Sequence, residues 1–522
     1  MQSTSNYFRG IKDDLSASVV VFLVALPLCL GIGLASTGRP DLVFSGVIAG
    51  MIGGLVVGWL SGSQIGVSGP AAGLVVIVLS AIESLGSFEA LLLATFLAGL
   101  IQLIGGYARA GIIGYYFPSS VIKGMLAAIG LTLILKEIPH ALGYDKDFMG
   151  DQAMSQMDGH NTFNEIFYAL EGISPAAITI SIVSLALLIL FERPFLKKFA
   201  VFKFLPGALF VVVAGILLNY LMIYFRPAWA LAEEHLVQLP VADGASQFVG
   251  FFRLPDFSAL ANPQVYIVAG TIALVASLET LLCVEATDKL DRLKRTTPTN
   301  RELKAQGVGN MISGLIGGLP ITQVIVRSSA NINAGAKTKL SAMTHGAILL
   351  AAAYFIPHFL NLIPLASLAA ILLMVGYKLS KFSLYRNMFR LGHEQFIPFM
   401  STVIGILLTD LLKGIAIGMA VAIFYILRKN YKHSYRYKQE QHQQRETITL
   451  LLSEEVTFLN KASIQARLDG LPPNSRVVID GSHSLHIDYD VLEIIHDFRA
   501  HVAPSRNIEI ETIGIVPVEL TG

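Results

Sequence analysis

Charged side chains interrupt the apolar stretches of this sequence at a few positions, and chemistry is expected there. The stretch VASLETLLCVEATDKL (275–290) carries Glu279 and Glu285 in a segment otherwise apolar enough to cross a membrane. Glu279 and Cys283 are four residues apart and share one helix face, whereas Glu285 points elsewhere, near the helix end. Because a carboxylate is costly to bury in a membrane, we expect Glu279 to face a cavity and Glu285 to lie at an interface or a cavity mouth.

A cation lies comparably deep in apolar sequence. Arg327 belongs to the segment GGLPITQVIVRSSANINAGAKT (317–338) and can act as the counter-charge of an anion or as a structural partner of Glu279 or Glu285. A carboxylate beside an anion site would repel the anion unless sodium, a proton or Arg327 offsets its charge. His345, in SAMTHGAILL, is expected to be a structural hydrogen-bonding residue, with a proton-carrying role as the alternative.

Glycine and proline break two apolar segments at corresponding positions. GVSGPAAGL (66–74) opens the third segment, and the tenth opens within 317–338. Paired breaks of this kind indicate a transporter site built from half-helices, whose free N–H groups would bind an anion. The alternative is that glycine and proline only allow close helix packing. Pro27, in VALPLCLGIG, kinks the first segment and is expected to line the same cavity, with plain bending as the alternative.

The elements that position these residues are predicted from composition. The chain has 522 residues, of which 53% are hydrophobic and 14% charged, with a mean hydropathy of +0.61, so a polytopic membrane protein is predicted. A net charge of +1 gives no reason to expect nucleic acid as a partner. Cys29 and Cys283 offer neither a disulfide framework nor a metal motif. We expect no cofactor, no enzymatic activity and no cleaved signal peptide.

Fourteen apolar runs, seven on each side of a long polar loop, have lengths at or below that of a bilayer crossing. Basic loops after the sixth, eighth and twelfth runs then lie on one side, which predicts a multi-pass membrane protein with both termini cytosolic. The runs are 15–36, 42–60, 74–83, 91–107, 121–135, 176–190, 205–224, 265–286, 307–319, 321–332, 340–356, 365–376, 396–412 and 414–427.

The predicted domains follow from these runs and from a change of composition after residue 430. Residues 1–14 form a cytosolic segment, 15–430 a membrane domain with repeats at about 15–225 and 263–430, and 431–446 a polar linker. Residues 447–522 read as a small soluble α/β domain. Its predicted strands are TITLLLSEEVTFLN, SRVVIDGS and IEIETIGI, and DVLEIIHDFRA has helical spacing.

Several motifs in order resemble one family. GVSGPAAGL, SLETLL, NRELKAQGVGNMISGLIGGLP, VRSSANINAGAKTKLSAMTHG and IPLASLAAILL, followed by the small α/β domain, resemble the sulfate permease (SulP) family, bacterial relatives of the solute carrier 26 anion transporters. The resemblance implies an α-helical polytopic protein of 14 transmembrane segments in two inverted seven-helix repeats. It also implies core and gate domains, a cytosolic STAS domain, and homodimers that work by an elevator-like movement of the core.

Within that family the sequence is similar to a branch associated with bicarbonate. The expected function is therefore secondary active uptake of bicarbonate coupled to sodium. The alternatives are a transporter or exchanger of sulfate, dicarboxylate or chloride, proton-coupled or uncoupled, and an anion channel or sensor. The expected partners are the anion, membrane lipid, a second copy of the chain and a cytosolic protein at the STAS domain. Because Tyr489 and not Ser or Thr follows Asp488, packing or partner binding is expected there and not a phosphorylation switch.

The resemblance also implies site residues. Sodium would bind at Glu279, with Cys283 and the backbone from Gln323 to Ile325. The glutamate and thiol depart from the aspartate and hydroxyl of that branch, which favours proton coupling or sodium-free exchange, since sodium prefers hard oxygen ligands. The anion would lie between the first, third and tenth segments, at Pro27, Cys29, Ser68, Gly69, Pro70, Ala71, Ala72, Gln323, Val324, Ile325 and Arg327.

Overall fold

The structure, a computed structural model, describes residues 10–146, 149, 162–193, 206–242, 244–432, 435–442 and 445–515. The predicted cytosolic segment 1–14 lies mostly outside the described residues, as do the basic loop at 194–205 and both chain ends. The chain divides into two compact units, Met1–Met419 and Ala420–Gly522.

The first unit is helical, and each of the fourteen predicted apolar segments overlaps a helix. In chain order the helices are α1 Ile11–Thr37, α2 Phe44–Ile52, α3 Val75–Leu85, α4 Phe88–Tyr107, α5 Ser119–Leu142, α6 Thr162–Glu171, α7 Pro175–Glu192, α8 Gly207–Phe225, α9 Ala245–Val249, α10 Pro263–Leu290, α11 Thr299–Ile316, α12 Ile325–Asn333, α13 Leu340–Phe355, α14 Pro357–Leu360, α15 Leu365–Leu379, α16 Phe382–Arg390, α17 His393–Leu408 and α18 Leu411–Lys432, the last of which continues into the second unit.

Among the described residues, eight helices are long and apolar enough to cross a membrane. The protein is therefore a helical polytopic membrane protein, as the composition predicts, while the number of fourteen spans and their inverted repeat stay predictions. The 28-residue helix α10 illustrates how the sequence sets a span. It begins with Pro263 at its first position and with the Asn262 side chain accepting from the Gln264 N–H, both favoured helix starts.

Both predicted breaks contain a short strand followed by a helix. Strand β1 (Ser68–Pro70) and strand β2 (Ile321–Gln323) pair antiparallel, with Gly69 opposite Thr322. Helix α3 follows β1 after a 3₁₀ turn at Ala72–Leu74, and α12 follows β2 directly. Because the strands run in opposite directions, the two helices begin at opposite ends of one small sheet, with their N-termini towards it.

Close helix packing surrounds this sheet. A Cβ on Gly99 of α4 would lie 2.5 Å from the carbonyl oxygen of Gly307 in α11, so these helices meet backbone to backbone. Helix α2 continues through a π-helical turn at Gly53–Val57, where a Cβ on Gly53 would overlap the Ser68 carbonyl. Since π-helical turns often occur at functional sites, this turn indicates that the sheet belongs to one.

The second unit contains a four-stranded sheet, and each predicted strand stretch contains a strand, but the two strands within TITLLLSEEVTFLN pair with other strands and not with each other. Helix α20 (Tyr489–Asp497) follows the Asp488 side chain, which caps it. The predicted linker 431–446 is partly a strand: β3 (Tyr435–His442) pairs antiparallel with the next strand. The sheet order is β3-β4-β6-β8, with a separate β5–β7 pair: β3 Tyr435–His442, β4 Arg445–Leu452, β5 Glu455–Val456, helix α19 Lys461–Asp469, β6 Arg476–Asp480, β7 His486–Ile487 and β8 Glu509–Ile513.

Candidate functional site

Glu279 lies against the start of α3. A Cβ on Gly73, in the turn that leads into α3, would lie 3.0 Å from Glu279 Oε2, so only glycine leaves this much room. The side chain is buried, and Oε2 has no hydrogen-bond partner among the described residues. Glu279 therefore presents a partly unsatisfied carboxylate at one helix start.

Two threonines of α10 contact the other break. Thr280 Oγ1 accepts from the Gln323 N–H at 3.3 Å, and Thr287 Oγ1 accepts from Gln323 Nε2 at 3.0 Å. The Cys283 thiol lies against the backbone N–H of Ile325, the first residue of α12. Helix α10 thus contacts both helix starts, α3 through Glu279 and α12 through Cys283, and brings the two predicted residues to one region.

Arg327 is fully buried beside the sheet. Its Nη1 occupies the space that a Cβ on Gly69 of β1 would fill, and a Cβ on Gly50 of α2 would lie 3.7 Å from the same atom. The Cys29 thiol of α1 lies against the guanidinium and against Gly50. Among the described residues none of the three guanidinium nitrogens has a conventional hydrogen-bond partner. The Arg327 guanidinium is therefore a buried cation to which an anion could bind.

The alternative in which Arg327 pairs with one of the two glutamates is wrong. Glu285 pairs with Lys289 one turn further along α10, at 3.2 Å, and both side chains are partly exposed. They line a surface cavity of about 250 Å³ together with Asp288 and Arg295, and the lining of this cavity contains no residue of either break. Glu279 forms no ion pair with Arg327, since its carboxylate lies against Gly73.

The other face of the sheet contacts a polar row on α11 that the sequence analysis did not assign. Ser68 Oγ accepts from Gln306 Nε2 at 2.7 Å, and the same nitrogen donates to Glu302 Oε1 at 3.0 Å. Glu302 also accepts from the Ser61 hydroxyl. The sequence analysis used the motif NRELKAQGVGN only for the family resemblance. Its polar residues Glu302, Gln306 and Asn310 recur every four residues. That spacing on one helix face was the available signal.

The remaining predicted residues lie around the sheet. Pro27 is buried in α1, which packs against α3 and α12. Pro70 lies opposite Ile321, Ala71 precedes the turn that Ala72 begins, and Val324 precedes α12. The Val324 N–H donates to the Val67 carbonyl at 2.9 Å, which extends the sheet.

His345 is buried in α13, but the hydrogen bonds expected for it are absent among the described residues, since neither ring nitrogen has a partner there.

A cavity of about 260 Å³ lies on one side of the first unit, at the N-terminal end of α1 and the C-terminal end of α12. That side carries the predicted cytosolic basic loops. Ser16 and Val20 of α1 and Asn333 of α12 line the cavity, and Glu192 and Lys378 pair at its rim. The ends of α1 and α12 that lie on this side are therefore reachable by a small solute.

The opposite end of α1 is covered. The Met149 carbonyl oxygen occupies the space that a Cβ on Gly31 would fill. Asp145, four residues before Met149, has its carboxylate 2.6 Å from His140 Nδ1 and 2.6 Å from His235 Nδ1. Burial favours a higher pKa for Asp145, but hydrogen bonds from the two histidines hold the pKa below its ordinary value, so Asp145 joins α5 to the segment that carries His235.

Comparison with known proteins places these features in a family. A model of the sulfate permease family matches residues 11–402, well over half of the chain. The "Putative sulfate transporter YvdB" of Bacillus subtilis is 28% identical over 443 residues, covering 84% of this chain and 78% of that protein. The bicarbonate transporter BicA of Picosynechococcus is 24% identical over 435 residues, covering 81% and 71%.

Among solved structures, murine solute carrier 26 family member A9, an anion transporter in its inward-facing state, matches with a TM-score of 0.68. The match covers 97% of this chain and 85% of that one at 13% sequence identity. At this identity the likeness concerns the fold, and it extends over both units of the chain.

Proposed function

The chain belongs to the sulfate permease family, and we propose that it is a secondary active transporter that takes up bicarbonate across a bacterial inner membrane. One observation carries the proposal: two helices begin at one small sheet beside a buried guanidinium that has no hydrogen-bond partner among the described residues. Helix N-termini and a buried arginine both attract an anion, and no described carboxylate forms an ion pair or a hydrogen bond with Arg327.

The charge of the site favours a monovalent anion. Arg327 contributes one positive charge, and Glu279 contributes one negative charge unless a cation neutralises it. With Glu279 neutralised, bicarbonate balances the one side-chain charge of the site, whereas sulfate adds a second negative charge that only the partial charges of the helix N-termini offset. Because an uncompensated buried charge is costly, bicarbonate is the first candidate. Sulfate is the second, supported by the name of the Bacillus relative.

Coupling is proposed to act through Glu279. Its carboxylate lies beside the α3 start, so a cation that neutralises it removes a repulsion on the anion. Sodium is the expectation from the resemblance, yet of the two side chains that the resemblance implies, Glu279 supplies a hard carboxylate and Cys283 a soft thiol. The side chains therefore suit a proton better, and sodium would depend on backbone carbonyls.

The conformation and the assembly complete the proposal. The proposed conformation is inward-facing, supported by the cavity on the side of the basic loops and by the Met149 carbonyl against Gly31 on the other side. An elevator-like movement of the core would expose the sheet on the outer side. We assign the second unit as the STAS domain, with a homodimer in the lipid bilayer and a cytosolic partner at that domain as further parts of the proposal.

Uptake into proteoliposomes tests the function. Radiolabelled bicarbonate and sulfate are offered separately under an imposed sodium gradient, an imposed proton gradient, or neither. Bicarbonate accumulation above equilibrium under one cation gradient supports the proposal and identifies the cation. Sulfate accumulation alone would assign the second candidate, and equilibration without accumulation under either gradient would refute coupled transport.

A further inference from the structure

The backbone N–H and C=O groups on the outer edge of strand β2 need hydrogen-bond partners. Ile321 lies opposite Pro70, which has no N–H, so the backbone N–H and C=O of Ile321 point away from β1. A two-stranded sheet of three residues cannot pair these groups itself. Inside a membrane protein each unpaired backbone group costs several kcal/mol, so only a protein partner makes this edge stable.

Asn310 of α11 supplies that partner. The Ile321 N–H donates to Asn310 Oδ1 at 2.6 Å, and Asn310 Nδ2 donates to the Ile321 carbonyl at 3.0 Å. One side-chain amide thus takes the place of a third strand. Two residues along, the Gln323 N–H points the same way and donates to Thr280 of α10. The outer edge of β2 is held by side chains from two helices.

The second N–H of the Asn310 amide continues towards α10. Asn310 Nδ2 donates to Gln102 Oε1 of α4 at 2.7 Å, and Gln102 Nε2 donates to Ser277 Oγ at 3.2 Å. Ser277 lies two residues before Glu279 in the sequence. Both amide hydrogens of Asn310 and its oxygen are therefore used, which leaves its side chain one orientation.

We propose that Asn310 is a positioning residue for the anion site: by acting as a side-chain substitute for a strand on β2, it fixes the start of α12 and thereby sets the affinity for the anion. The inference rests on the proposed function and deepens it. Asn310 does not touch the anion. It acts through Ile321, since the three residues of β2 and Val324 lead directly into α12.

The first test compares Asn310→Ala with a matched control. Ser181→Ala in α7 also removes a buried side-chain bond to a main-chain carbonyl of another helix, that of Ala141 at 2.9 Å, but away from the sheet. In proteoliposomes we expect Asn310→Ala to raise the apparent KM for radiolabelled bicarbonate about tenfold, as the loss of one or two hydrogen bonds implies, and to change the maximal rate far less. Ser181→Ala should leave KM unchanged. An unchanged KM in Asn310→Ala overturns the proposal.

A second variant covers a failure of Asn310→Ala to fold. In Asn310→Asp an ionised carboxylate would face the Ile321 carbonyl and Gln102 Oε1, which are both acceptors. A protonated carboxyl restores one donor and one acceptor. The ratio of the variant KM to the wild-type KM should therefore fall as the pH is lowered. A ratio that does not change with pH contradicts a positioning role, and unfolding of the variant measured at the same pH values separates a change in KM from general destabilisation.

A third measurement separates this inference from the proposed function. Hydrogen exchange of peptides covering residues 317–328 is measured on detergent-solubilised full-length protein. Asn310→Ala should lose protection there, and Ser181→Ala should not. If the wild type transports neither bicarbonate nor sulfate, the proposed function fails. Unchanged hydrogen exchange in Asn310→Ala would instead refute the claim that Asn310 stabilises β2.

Discussion

Replacing Arg327 by methionine should change stability and anion affinity in opposite directions. The guanidinium is fully buried, and its nitrogens have no conventional hydrogen-bond partner among the described residues. Removing a charge from water costs several kcal/mol even after relaxation, and here no ion pair offsets that cost. Methionine has a similar length, fills irregular space and carries no charge. Without anion, Arg327→Met should therefore unfold at a higher temperature than the wild type.

The loss of affinity can be estimated from the same geometry. The guanidinium lies against one face of β1, and an anion at the helix starts would lie about 7 Å away, between the strand spacing and the sheet spacing. At an effective dielectric constant of about 20, two unit charges at that distance attract by about 2 kcal/mol. The apparent dissociation constant for the anion should then rise about thirtyfold.

Thermal unfolding in detergent, with and without bicarbonate, measures both quantities on one sample. The wild type should be stabilised by added anion, and Arg327→Met should need a much higher concentration for the same shift. Arg39→Met is the control, because Arg39 pairs with Asp41 on the surface and its loss should change stability by less than about 1 kcal/mol. If Arg327→Met is destabilised by several kcal/mol while affinity is unchanged, the arginine is structural and the site assignment is wrong.

Three further predictions concern the carboxylate and the closed side. Glu279→Gln should abolish the dependence of uptake on the cation gradient while leaving the protein folded, and wild-type coupling in that variant would exclude Glu279 as the coupling residue. Gly73→Ala should weaken coupling, because its Cβ would lie 3.0 Å from Glu279 Oε2, whereas Gly270→Ala in α10, which meets nothing within 4 Å, should be neutral or stabilising in the same uptake and unfolding assays. The hydrogen bond to Asp145 raises the pKa of His235 above its ordinary value of 6.5, so the stability that His235 adds is present below pH 6.5 and is lost as the pH rises through the raised pKa. His235→Gln should therefore lower the unfolding temperature more at about pH 6 than at about pH 9. An equal effect at both pH values would contradict the pairing of His235 with Asp145.

Much of the membrane unit could be predicted from the sequence because the bilayer allows few solutions. Apolar length indicated the helices, and glycine with proline indicated where two of them break. Glu279 and Cys283 were placed on one helix face by their spacing alone, and the structure brings both to the helix starts. These inferences depend only on local sequence and on the cost of burying polar groups.

The partners of the polar groups could not be predicted, because they depend on which helices become neighbours. Arg327 had three candidate roles until the structure placed it between β1, α1 and α2 and separated it from both glutamates. The bond between Asn310 and Ile321 joins residues 11 apart across a helix end and a turn. The cover over Gly31 depends on a loop carbonyl that no side-chain pattern encodes.

The arrangement around α10 gives a physical reason for coupling if the proposed function holds. With Glu279 ionised, its charge and that of Arg327 cancel, so an anion gains little from entering. With Glu279 neutralised, the site carries one net positive charge and attracts an anion. Linkage requires the effect to be reciprocal, so a bound anion must raise the affinity of Glu279 for its cation by the same factor. One carboxylate at one helix start and one guanidinium beside the sheet are then sufficient to make the two ions enter together.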